Sequence, residues 1–146
     1  MTFLIPEWFN PMTKKQVTQL SYEITGCAIT VHKALGPGLL ESVYQKCLTY
    51  ELIKRGYSVV QQLAVPVNYD ELVIDTELRL DLLVNDIVVV ELKAIEVVLP
   101  VHEAQILTYM KLLRKPQGLL INFFTENITS TLKPFVNEYF KALPDC

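Results

Sequence analysis

Positive charge is not in surplus in this chain. Its 13 Lys and Arg stand against 16 Asp and Glu, for a net charge of −3 and a pI near 5.4. Coating nucleic acid without regard to sequence takes clustered cations, so the balance counts against that class. It leaves room for an enzyme whose metal ion and local patch handle phosphate. The basic groups Lys14-Lys15, Lys54-Arg55 and Lys111, Arg114, Lys115 read first as solvated helix ends. Cysteine is scarce too: Cys27, Cys47 and Cys146 are widely spread, with only His32 and His102 for company. That supports neither a structural zinc site nor a disulfide framework. Cys27 and Cys47 fall at apolar helix positions and read as small buried hydrophobes. No run approaches the roughly 18 uncharged apolar residues of a membrane span. The opening MTFLIPEWFNPM has no basic stretch and no sustained apolar core, so it is not a signal peptide. A cytoplasmic protein without membrane contact is expected.

Repeats and low-complexity linkers are absent as well. Residues 1–146 are therefore expected to form one domain, burying about two thirds of its extended surface. Residues 1–13 read as an arm that docks Phe3, Trp8 and Phe9 on the body, on a second copy or on a partner protein.

What is present is strong periodicity. Val17, Leu20, Ile24, Ala28, Val31 and Leu35 recur every three or four residues, which predicts a helix over 14–35. Gly36-Pro37-Gly38 stops it. A second helix is predicted from about Leu39 to Arg55, with Leu40, Val43, Tyr44, Cys47, Leu48 and Leu52 inward. The period then changes. Strands are predicted over Ser58–Tyr69, with Pro66 at an edge or bulge, over Val73–Val84 and over Ile87–Ala94. Pro100 opens a third helix to about Leu113. Strands over Gly118–Phe124 and Thr131–Val136 follow, then a short helix over Asn137–Leu143. The order ααβββαββ with a terminal helix predicts an α/β fold, a mixed central sheet flanked by helices. The meander is antiparallel, and the third helix permits a parallel crossover.

Three charges interrupt the most apolar of these runs. LRLDLLV carries Asp81, and IVVVELKA carries Glu91 and Lys93. An unpaired charge in a buried strand costs several kcal/mol, so the set invites a functional reading. Glu91 and Lys93 share a strand face, while Leu92 points away. Asp81 joins them only in one register. A two-residue turn pairs Val84 with Ile87 and puts Asp81 on the wrong face. Pairing Val84 with Val88 sets Asp81 opposite Glu91, which takes a three-residue loop or a bulge. Two carboxylates so placed suit Mg²⁺ or Mn²⁺, with Lys93 orienting water or neutralising a developing phosphorane. The plainer alternatives are a salt bridge from Lys93 to Asp81 or Glu91, or an edge strand turned to solvent. Glu41 and Tyr44 share a face in the first turn of the second helix, where an acid also offsets the helix dipole. His102, Gln105 and Tyr109 form a stripe on the third helix, which could equally be a polar seam against the sheet.

The segment Gly38-Leu39-Leu40-Glu41-Ser42-Val43-Tyr44 resembles the signature of the GxxExxY proteins. VHKALGPGLLESVYQKCLTYELIKRG, LDLLV, VVVELKAIE, PVHEAQILTYMK and GLLINF resemble that family's blocks, in order, over about Ile24 to Phe123. The family is grouped with the PD-(D/E)XK nuclease-like proteins, near the RecB-type branch, whose core is restriction-endonuclease-like. The resemblance implies that Asp81 and Glu91 bind metal, with Glu41 bordering or joining the site, and that Lys93 is catalytic. It implies that Gln105 and Tyr109 line the site and contact substrate, where Tyr44 and His102 are also expected. Phe124 departs from the family's usual glycine, and Thr131–Val136 is less basic than its usual counterpart. The implied function is a metal-dependent nuclease acting on DNA, or less readily on RNA. The alternatives are a non-catalytic binding module on the same fold, for nucleic acid or protein, and an interaction subunit whose charges only build a buried network.

Overall fold

Polar capping and one apolar stripe set the first helix. A computed structural model describes the chain from Met12 to Cys146; Phe3, Trp8 and Phe9 of the expected arm lie outside the described residues. Helix α1 (Lys14–Leu35) starts with a capping box: Thr13 Oγ1 accepts from Gln16 N–H at 3.1 Å, and Gln16 Oε1 accepts from Thr13 N–H at 3.0 Å. Its stripe from Val17 to Val31 is buried. Helix α2 (Glu41–Lys54) follows Gly36 and Gly38, both at positive φ (70° and 102°) that L-residues avoid. Its inward face is narrower than predicted. Tyr44, Leu48 and Leu52 are fully buried, Cys47 is half-buried, and Leu40 and Val43 are 75% and 36% exposed.

The sheet is built from β1 (Val59–Ala64), β4 (Arg79–Val84), β5 (Val88–Lys93), β6 (Gln117–Asn122) and β7 (Lys133–Val136), in the order β1-β4-β5-β6-β7. All neighbours are antiparallel except β5 and β6, which run parallel across helix α3 (Pro100–Leu113). The runs predicted as strands over 58–69 and 73–84 are each divided. Pro66 has no N–H for the ladder, and the chain leaves the sheet there. It forms a separate hairpin of β2 (Val67–Tyr69) and β3 (Leu72–Ile74) before β4 resumes. A one-turn helix, α4 (Ile128–Thr131), interrupts the region before β7; one turn is too short to print a period on the sequence. Helix α5 (Glu138–Lys141) closes the chain.

Both sheet faces are covered. Leu82, Val84, Val88, Val90, Leu92, Leu119 and Ile121 pack with α1 and α2. Leu83, Val89 and Leu120 pack with Ile106, Tyr109 and Met110 of α3. The unalternating β-branched sequence of β5 follows from this double burial. Gly118 lets α3 approach closely, because a Cβ there would stand 2.7 Å from Met110 Sδ.

Candidate functional site

The turn between β4 and β5 decides whether the two acids meet. Asn85 and Asp86 both take left-handed backbone, with φ of 52° and 58°. Ile87 N–H donates to Val84 O at 3.0 Å, yet strand pairing begins with Val84 opposite Val88. Ile87 is thus an extra residue, a bulge that shifts the register by one. Ser58 anchors the turn: its N–H donates to Asn85 Oδ1 and its carbonyl accepts from Asn85 N–H, both at 2.9 Å. The register brings Asp81 into line with Glu91.

The β4–β5 ladder ends one pair short of them, at Leu82 and Val90. Side chains take over where the strands part. Glu91 Oε1 accepts from Asp81 N–H at 3.0 Å, and Asp81 Oδ2 accepts from Leu92 N–H at 2.8 Å. The two carboxylates interlock across the gap, at 7% and 5% exposure. Burial and the nearby Asp81 carboxylate push Glu91 up to about 8, against the opposing pull of Asp81 N–H and Lys93. Burial also raises Asp81, opposed by hydrogen bonds from Leu92 and Gln62 and by Lys93. Glu41 is half-buried at the start of α2. Burial raises it, then the Asp81 charge, while Lys93 lowers it.

Lys93 ends β5. Its carbonyl accepts from Phe123 N–H at 2.8 Å, and it stands opposite Asn122 of β6. Its ammonium acts on Asp81, Glu91 and Glu41, but among the described residues it forms no salt bridge. Three acids therefore face one cation in a poorly solvated place, and a hard divalent ion would offset the imbalance. The donor set fits such an ion, since it is all oxygen and each interlocked carboxylate keeps lone pairs free. Glu41 does not complete a cage. Among the described residues no group of three or more His, Cys, Asp or Glu side chains is arranged to hold a metal. Its influence here is through charge, from a different element; Mg²⁺ with one or two carboxylates keeps waters for its remaining positions.

The α3 residues divide. Tyr109 is buried, and its hydroxyl is raised by burial and by the charges of Glu91 and Asp81, while Gln105 opposes this by hydrogen bonding. Both belong to the site's surroundings. His102 sits in the first turn of α3. Its Nδ1 accepts from Leu99 N–H at 3.0 Å, so it caps the helix. Tyr44 departs from expectation. It is fully buried and stacked on Phe123 at 4.3 Å; its hydroxyl donates to Gly36 O at 2.6 Å and accepts from Leu39 N–H at 3.1 Å. It braces the loop before Glu41 and has no surface to offer a substrate.

Sequence reasoning missed two residues. Asn122 is buried at the end of β6. Its side chain accepts from Ile95 and Phe124 N–H at 3.2 and 3.3 Å and donates to Ile95 O at 2.8 Å, pinning the chain that leaves Lys93. The signal was a lone amide closing an apolar strand. Gln62 of β1 donates to Asp81 Oδ1 at 3.2 Å from left-handed backbone, φ 51°. Period-two alternation gives no sign of such a residue.

Residues 18–134, most of the chain, match the sequence model of the PD-(D/E)XK nuclease superfamily. The chain belongs to that superfamily. Its five-stranded mixed sheet flanked by helices agrees with the restriction-endonuclease-like fold of PD-(D/E)XK proteins. Nucleases of the PD-(D/E)XK superfamily generally use divalent metal ions and act on nucleic acid. Comparison with curated proteins and with solved structures finds no match. Among the described residues no helix is long and apolar enough to cross a membrane.

Proposed function

We propose that this chain is a single-domain, metal-dependent phosphodiester hydrolase, a nuclease of the GxxExxY type near the RecB-like branch, acting on DNA or, less readily, RNA. The observation that carries the reading is the interlocked, buried Asp81–Glu91 pair beside an ammonium that no salt bridge among the described residues consumes. Asp81 and Glu91 hold Mg²⁺ or Mn²⁺, and Glu41 adjusts the charge or joins as a ligand when the ion is bound. A bound divalent ion lowers the pKa of water and polarises the phosphoryl oxygen. Lys93 donates to the attacking water and offsets charge gathering on the phosphorane. Gln105 and Tyr109 line the approach on α3. A cytoplasmic location belongs to the same reading and suits three free cysteines.

The test compares wild type with Glu91→Ala and Lys93→Ala, measuring thermal stability and cleavage of single- and double-stranded DNA and RNA with Mg²⁺ or Mn²⁺. Metal is expected to raise the melting temperature of wild type but not of Glu91→Ala, and both variants are expected to lose cleavage by at least about a hundredfold. Wild type that ignores metal overturns the reading. Metal binding without cleavage of any substrate favours a non-catalytic module instead. One observation leans that way. The β2–β3 hairpin pairs Val67 with Ile74 and Tyr69 with Leu72 on one face, and Tyr69, Leu72 and Ile74 are exposed there, as a protein-binding surface would be.

A further inference from the structure

Two consecutive glutamines of β1 reach the same helix residue, which a regular strand forbids. Neighbouring strand residues point to opposite faces. Yet Gln45 of α2 donates from Nε2 to Gln61 Oε1 at 3.3 Å and accepts at Oε1 from Gln62 Nε2 at 2.7 Å. The β1–β4 register runs unbroken on both sides of Gln62, with Gln61 opposite Leu82 and Leu63 opposite Leu80. No residue has been inserted. The left-handed backbone of Gln62, φ 51°, is what swings its side chain between α2 and Asp81. Backbone held in this region against its preference gathers at sites where geometry matters.

The hydrogen bonds also have a fixed direction. A carboxylate only accepts, so Asp81 Oδ1 requires the NH₂ end of Gln62. The second hydrogen of that NH₂ goes to Gln45 Oε1, which turns the NH₂ of Gln45 toward Gln61. The charge on Asp81 thereby orients three amides in series. In return, Gln62, backed by Gln45 of α2, holds one oxygen of Asp81 while Leu92 N–H holds the other. Gln45 lies one turn after Glu41 on that helix, so the chain ties the two acid-bearing elements together.

Resting on the metal-site reading above, we propose that Gln62, backed by Gln45, is a positioning residue that holds Asp81 in its metal-binding orientation and couples helix α2 to the site. The test is Mn²⁺ titration calorimetry with metal-free melting curves on wild type, Gln62→Gly, Gln45→Leu and Asp81→Asn. Gln62→Gly removes the amide but suits the left-handed backbone, so the relieved strain is expected to offset much of the lost bonding and the metal-free melting temperature to fall by only a few degrees. Its Mn²⁺ affinity is expected to fall about tenfold, as for a lost hydrogen bond to a charged group. Gln45→Leu is expected to weaken Mn²⁺ in the same direction by a smaller factor. In wild type, the Gln62 and Gln45 side-chain amide NMR signals are expected to shift together on Mg²⁺ addition, which a purely structural contact would not do. If Asp81→Asn loses Mn²⁺ while both glutamine variants bind it like wild type, the positioning role falls and the metal site stands. If wild type takes up no Mn²⁺, both fall.

Discussion

Glu91 is a carboxyl group held where its charged form is costly. Burial and Asp81 raise it from an ordinary 4.5 to about 8, so over that interval the folded protein binds a proton that the unfolded chain has released. Stability therefore falls as pH rises from about 4.5 to about 8 and levels off above it. Asp81 and Glu41 are shifted in the same direction and add to the slope. Glu91→Gln imitates the protonated form and keeps an oxygen for Asp81 N–H. Urea unfolding of this variant without metal is expected to show a flatter pH dependence and greater stability than wild type above pH 8. On the proposed reading a metal displaces the same proton, so Mn²⁺ affinity in wild type is expected to climb across the interval. Sequence alone marked Asp81, Glu91 and Lys93 as charges out of place. It could not give the shift, which depends on how deeply the fold buries Glu91 and how near it brings Asp81.

The elements hold these residues through contacts of few atoms. Tyr44 shows how α2 is set. Its buried hydroxyl joins Gly36 O to Leu39 N–H across the loop that delivers Glu41. Tyr44→Phe leaves both backbone groups without that partner and is expected to cost about 1–3 kcal/mol in denaturant unfolding. Metal-free stability should fall more than Mn²⁺ affinity, because Tyr44 touches no metal-site carboxylate. Helical spacing already turned this residue inward, but its stacking on Phe123, which leaves no surface for a substrate, was invisible. The β4–β5 turn teaches the reverse lesson. The sequence posed a choice between two registers, and the extra residue Ile87 with left-handed Asn85 and Asp86 resolves it.

Across the whole molecule, basic residues collect where α2 and α3 end. Lys54, Arg55, Lys111, Arg114 and Lys115 end α2 and α3 near the Asn85-Asp86 turn, where Lys115 pairs with Asp86 at 2.9 Å. The opposite sheet end carries the site. Its cations are Lys33, Arg79, Lys93 and Lys133, the last tied to Glu103 at 2.8 Å. The β2–β3 hairpin, between β1 and β4, adds the exposed Asp70, Glu71, Asp75 and Glu77. Few phosphates can be neutralised there. A fluorescence titration of Glu91→Gln, without metal, against an oligonucleotide is expected to give a log affinity versus log salt slope shallower than about −3. A steeper slope would mean that the far, basic end also takes up nucleic acid.

The sequence by itself determined the order of the main elements, the double burial of β5 and the identity of the acids and lysine, because hydrophobic period and misplaced charge are local signals. It did not separate the β2–β3 hairpin from the main sheet, because the hairpin's apolar residues look like a continuation of the flanking strands. Only the tertiary structure decided the register that aligns Asp81 with Glu91, the capping role of His102, the stacking of Tyr44 on Phe123 and the reach of Gln62. Each depends on one backbone bend or one distant neighbour, and neither leaves a period in the chain.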